Sequence, residues 1–187
     1  IRGLARRREN TLKRAVWLTV GLSLFVTGCA AVTGQPAAPP AASHASLETW
    51  AQQYPQQYKE WAASVHGTAY LAGNRDAPDC TGCHSDPASD PVNTAAFHLA
   101  IPARCARCHD NAELMARYGI AADVYDTYQA DYHGATVEYY RATDPSAWRY
   151  EAVCSDCHKA HAVYAPEDPR SSVAGGNLLA TCQRCHP

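Results

Sequence analysis

The chain has 187 residues, with 16 Lys or Arg against 18 Asp or Glu, and the near balance hides an asymmetry. Residues 1–28 carry six basic side chains and one acidic one, which leaves ten basic against 17 acidic residues beyond them, a net of −7. An acidic body with no Lys/Arg cluster excludes nucleic acid as a partner, because phosphate backbones are bound by basic side chains that displace counterions. Residues 30–187 hold eight Val, six Leu, two Ile and one Phe, 17 of 158, well below the roughly 20% that a chain needs for an ordinary aliphatic core. The same stretch has three Trp and eleven Tyr. A core is therefore expected from aromatic side chains and from whatever the eight cysteines after Cys29 hold.

In chain order, IRGLARRRENTLKR is a basic segment and AVWLTVGLSLFVTG an apolar run of 14 residues that ends at Cys29. This is the pattern of a secretory signal, and the run is too short for a membrane span, which needs about 20 apolar residues. The sequence does not open on Met and is expected to begin inside that signal. Val26-Thr27-Gly28-Cys29 resembles the lipobox of bacterial lipoproteins. That resemblance implies lipidation at Cys29, cleavage of residues 1–28, and a membrane-anchored body on the periplasmic or outer face of the cell envelope. Residues 30–45, rich in Ala and Pro, are expected to be a flexible tether, and residues 46–187 the functional domain.

The remaining cysteines form four pairs: Cys80 and Cys83 before His84, Cys105 and Cys108 before His109, Cys154 and Cys157 before His158, Cys182 and Cys185 before His186. CxxCH is the attachment signature of c-type haem. Two thiols three positions apart reach the two vinyl groups on one side of a porphyrin, and the adjacent His stands beneath the iron. Zinc ribbons use similar Cys spacings, and exported cysteines also form disulfide frameworks. Neither requires His after each second Cys, a fourfold coincidence with a chance of roughly 10⁻⁵. On these motifs the chain resembles the multihaem c-type cytochromes over residues 58–186. The resemblance implies four covalently bound haem c groups in a close-packed chain.

Five histidines lie outside the motifs: His44 in the tether, and His66, His98, His133 and His161. The last four match the number of irons and repeat in order, each half reading His-Gly, CxxCH, lone His, CxxCH. YKEWAASVHG at 58–67 aligns with YDTYQADYHG at 125–134, which sets two halves at about 58–118 and 125–187. Each aligned segment is expected to be a helix with an aromatic stripe (Tyr58, Trp61, Val65; Tyr125, Tyr128, Tyr132), closed by its His and by a Gly at the C′ position. His66, His98, His133 and His161 are thus the candidate distal iron ligands. His161 follows His158 by three residues, at most about 10 Å of chain, too little to round one porphyrin, so it is expected to serve another haem. The CHxxH spacing resembles one found in multihaem relatives. The pairing of the other lone histidines stays open.

Met115, the single methionine, is expected to pack inside a helix N-capped by Asp110. A short helix is expected to carry the last motif, and Asp144-Pro145 and residues 166–169 are expected to turn. No segment alternates with period two. The expected fold class is mainly α with extensive irregular loops, two tandem dihaem halves and little or no β structure.

Two His ligands on each iron leave no position for a substrate. The expected function is electron transfer, from a quinol-oxidising membrane partner or another cytochrome to a terminal reductase or carrier, as the resemblance to small tetrahaem cytochromes of anaerobic respiration implies. Two alternatives differ in class. One is a small multihaem reductase with an open iron, His98 being the ligand with the weakest repeat support. The other is a filament subunit that donates His44 to the next copy.

Overall fold

The computed structural model describes residues 46–86 and 89–186. The expected signal segment 1–28, Cys29, the tether 30–45 and His44 lie outside the described residues. Those described form eleven short helices and no strand. None of these helices is long and apolar enough to cross a membrane.

The helices are short because the sequence keeps interrupting them. Ser46 caps α1 (Leu47–Gln53), and Pro55 opens α2 (Pro55–Ala62) at the first turn, where its missing N–H costs nothing. Ser64 accepts from the Gly67 N–H at 3.1 Å and starts α3 (Val65–Leu71). Asp79 caps α4 (Cys80–Cys83) through the N–H groups of Thr81 and Gly82. Thr94 starts α5 (Ala95–Leu99), and α6 (Ile101–His109) follows with Pro102 in its first turn. Next come α7 (Ala112–Ala116), α8 (Val124–Ala130), α9 (Tyr132–Thr143), α10 (Cys154–His158) and α11 (Leu178–Cys182). The longest has 12 residues, and isolated helices of that length are marginal in water. Packing must hold them.

The aliphatic core is correspondingly small. Leu99, Val137 and Val153 bury almost completely against one another, with Ile101 and Tyr140 packed on them. The cluster joins the two halves, since Leu99 and Ile101 come from the first and the other three from the second. Trp50, Trp61 and Met115 are buried elsewhere.

The expected helix ends need correction. The aromatic stripes do not run on into His66 and His133; each breaks at a cap, Ser64 in one half and Asp131 in the other, and each His-Gly pair lies in the first turn of the next helix. Ser and Asp side chains satisfy the free N–H groups of a new helix better than they continue an old one. Neither glycine is a C′ residue with positive φ. Each lets two helices meet: a Cβ on Gly67 would stand 1.9 Å from the Trp61 carbonyl oxygen, and one on Gly134 2.0 Å from that of Tyr128. Asp110 ends α6, and Asn111 caps α7 by accepting from the Leu114 N–H.

Candidate functional site: a row of paired histidines

The two halves fix their motifs with matching bonds. Trp61 Nε1 donates to the Pro78 carbonyl at 3.2 Å, and the Tyr128 hydroxyl donates to the Ala152 carbonyl at 2.9 Å. Both acceptors lie two residues before the first cysteine of a half, so the aromatic residue of α2 or α8 holds the approach to that motif. Arg107 donates to the Gly82 carbonyl, and Arg184 to that of Asp156. In each half, the residue before the last cysteine of the second motif thus grips its counterpart in the first. Arg104 adds a bond to the Cys83 carbonyl at 2.5 Å. Between the halves, α6 and α10, which carry the second and third motifs, pack against each other. Contacts thus link the first motif to the second, the second to the third and the third to the fourth.

Three histidines that follow a CxxC pair each face a lone histidine. His84 and His161 have ring centres 6.1 Å apart, His109 and His66 6.1 Å, and His186 and His133 6.0 Å. One metal ion between two imidazoles at about 2.0 Å from each nitrogen, with roughly 1.1 Å more to each ring centre, sets the rings about 6.2 Å apart. The observed spacings match that value. In each half the His-Gly histidine faces the second motif. His161, by contrast, crosses to the first motif of the other half.

His98 also crosses. Its Nε2 lies 3.1 Å from Asp156 Oδ2, inside the third motif, and its ring packs at 5.8 Å on Trp148. Among the described residues no ring pair joins it to His158. The lone histidines of the two halves therefore reach into each other's first motif, His161 to His84 and His98 to Asp156. The main chain ties the crossing in place, because Val65, beside His66, donates to the Val163 carbonyl, close to His161, at 2.9 Å.

Lys159 was not visible as a functional residue from composition or spacing. It follows His158 with φ 69° and ψ 160°, a conformation that L-residues avoid. The bend turns the chain sharply between His158 and His161. That separates two histidines only three positions apart and sends the second toward His84.

Burial favours the neutral form of four of these histidines. It pushes His66, His109, His158 and His161 below the usual imidazole range, with a neighbouring histidine adding to the effect at His66, His158 and His161. Neutral imidazole is the ligand form. Burial likewise raises the thiols of Cys80, to about 11, and of Cys83 and Cys157, which keeps them protonated. Zinc would need three or four such groups gathered on one point, and among the described residues no group of three His, Cys, Asp or Glu side chains is so arranged. All eight described cysteines are free of disulfides.

Around the fourth motif these pieces line a half-open cavity of about 520 Å³. Cys182, Cys185, His186 and His133 line it, with Trp148 and Tyr150 beside them. Its size is that of sites for cofactors, about 300–1,000 Å³, and it puts both thiols and both imidazoles of one pair on a single space. Comparison with known family models, curated proteins and solved structures finds no match for this chain.

Proposed function

We propose that the chain is an electron-transfer protein, a tetrahaem c-type cytochrome in which four CxxCH motifs hold four covalent haem groups. One observation carries the reading. Three motif histidines each face a lone histidine at the separation that two axial ligands of one iron require. The cysteine pairs supply thiols for thioether bonds, in which S–H adds across a vinyl group. His84, His109, His158 and His186 are the proximal ligands. His161, His66 and His133 are the distal ligands to the first, second and fourth sites. The exchange between halves gives the third site to His98, since His161 and His98 occupy equivalent places in the repeat.

Bound iron would supply a one-electron couple, and the protein's task is to close both axial positions and hold the groups in series. Closed irons bind no substrate, so the chain relays electrons and breaks no bonds. The partners on this reading are a quinol-oxidising membrane protein or another cytochrome on one side and a terminal reductase or carrier on the other. The chain would be exported and anchored through a lipid on Cys29.

One observation favours a second reading. His98 Nε2, the nitrogen that would bind the third iron, is engaged by Asp156 Oδ2. If that bond persists, the iron at His158 stays open and the protein is a small multihaem reductase.

Low-temperature EPR of the haem-loaded ferric protein, with an optical search for a high-spin charge-transfer band, separates the two. Only low-spin iron is expected. A high-spin fraction near one haem in four selects the reductase, and a purified chain with no covalent haem refutes both.

A further inference from the structure

The four motif histidines are not held alike. His84 Nδ1 lies 2.9 Å from Asp90 Oδ2, whose side chain is only 6% exposed. The same oxygen accepts from the Ser85 N–H at 3.3 Å, which fixes the carboxylate beneath the ring. Trp50 and Phe97 flank the imidazole at 5.5 and 5.8 Å. Among the described residues no carboxylate lies within hydrogen-bond distance of His109, His158 or His186.

We propose that Asp90 is a positioning residue that makes the His84 site the lowest in reduction potential of the four. The inference rests on the haem reading above. With Nδ1–H donated to Asp90, the His84 ring is fixed in the tautomer whose Nε2 is the ligand. A carboxylate in this place raises the basicity of a metal-bound imidazole. His84 then gives more electron density to a bound iron, and the buried negative charge acts in the same sense. Both favour the ferric over the ferrous state, so the potential falls. Reduction adds one electron, taken from the redox partner.

The position matters as much as the sign. The first motif stands beside the second through Arg104 and Arg107. A low-potential site there gives transfer between the two a direction, since an electron entering at the first runs downhill toward the second.

The test is a spectroelectrochemical titration of the full haem-loaded chain. In Asp90→Asn, the lowest of the four midpoint potentials is expected to rise while the other three hold, and Asp90→Glu is expected to return it most of the way. In His161→Ala, which opens the iron facing His84, the same lowest potential is expected to move. Low-temperature EPR should show altered g-anisotropy for one low-spin signal in Asp90→Asn. The proposal is overturned if all four potentials stay in place in Asp90→Asn, or if the one that moves is not the lowest. A chain that carries four haems yet behaves in either of these ways refutes the role of Asp90 alone. A chain with no covalent haem refutes the underlying reading.

Discussion

His161 and His84 lie 77 positions apart in sequence and face each other with ring centres 6.1 Å apart. On the proposed haem reading, replacing His161 with Ala is therefore expected to open the iron held at the first motif and not that at its own neighbour, His158. EPR of the loaded variant should show about one haem in four turned high-spin. His66→Ala and His133→Ala should do the same at the second and fourth motifs. A His161→Ala variant that stays wholly low-spin would sink the pairing.

Gly67 and Gly134 hold the same corner in the two halves, each against a backbone carbonyl that cannot move without its helix. Alanine at either place is expected to cost about 1–3 kcal/mol, the range for overpacking, and to shift the adjacent His. Thermal unfolding and the low-spin signal, measured together, check this. Ala at Gly73 meets no neighbouring atom, but φ there is 97°, so its cost would be conformational and should leave the spin state unchanged.

Lys159 adopts a backbone conformation that suits glycine. Such positions store about 1–3 kcal/mol. Lys159→Gly should therefore raise the unfolding temperature, whereas Lys159→Ala, which keeps the Cβ, should not. Equal melting of the two variants would contradict the strain.

Between the third and fourth motifs, Asp168 bonds Arg170 through both carboxylate oxygens, and the Arg170 hydrogen bond holds its carboxyl down at about 2. A carboxyl depressed in the folded state contributes stability above its unfolded value of about 3.9 and loses it as the pH falls through the folded value. The stability difference between the wild type and Asp168→Asn should thus be constant above about pH 5, shrink as the pH falls and be lost only below the folded value, near about pH 1. Denaturant unfolding across that range measures it.

The acidic body, −7 beyond residue 28, gains more negative charge from haem propionates on the proposed reading, and a partner with a basic rim is expected. Electron-transfer rates to such a partner should fall as salt rises. Rates flat from low to high salt would count against electrostatic docking.

How much of this was legible in the sequence depended on how local each signal is. CxxCH is a five-residue pattern, and the His-Gly repeat at an offset of 67 is visible by alignment alone. The absence of strands among the described residues agrees with the missing period-two alternation. The helix breaks at Ser64 and Asp131 did not show, because Tyr58, Trp61 and Val65 keep helical spacing straight across the cap. Asp110 and Asn111 are adjacent and both suit an N-cap, so only the structure separates them. The spacing of His161 from His158 shows that it does not pair with its neighbour, but that it meets His84, that His98 reaches the third motif and that His84 bonds Asp90 have no local signature.

The crossing also orders events in time. His84 is the first motif histidine to leave the ribosome, yet the ring it faces belongs to the last lone histidine in the chain. At about 5–20 residues per second, the 77 residues from 85 to 161 take roughly 4–15 s to make. The site that begins first is thus completed late. Until His161 arrives, a haem joined to Cys80 and Cys83 would have one protein ligand, and a truncated chain ending before residue 161 would keep it that way.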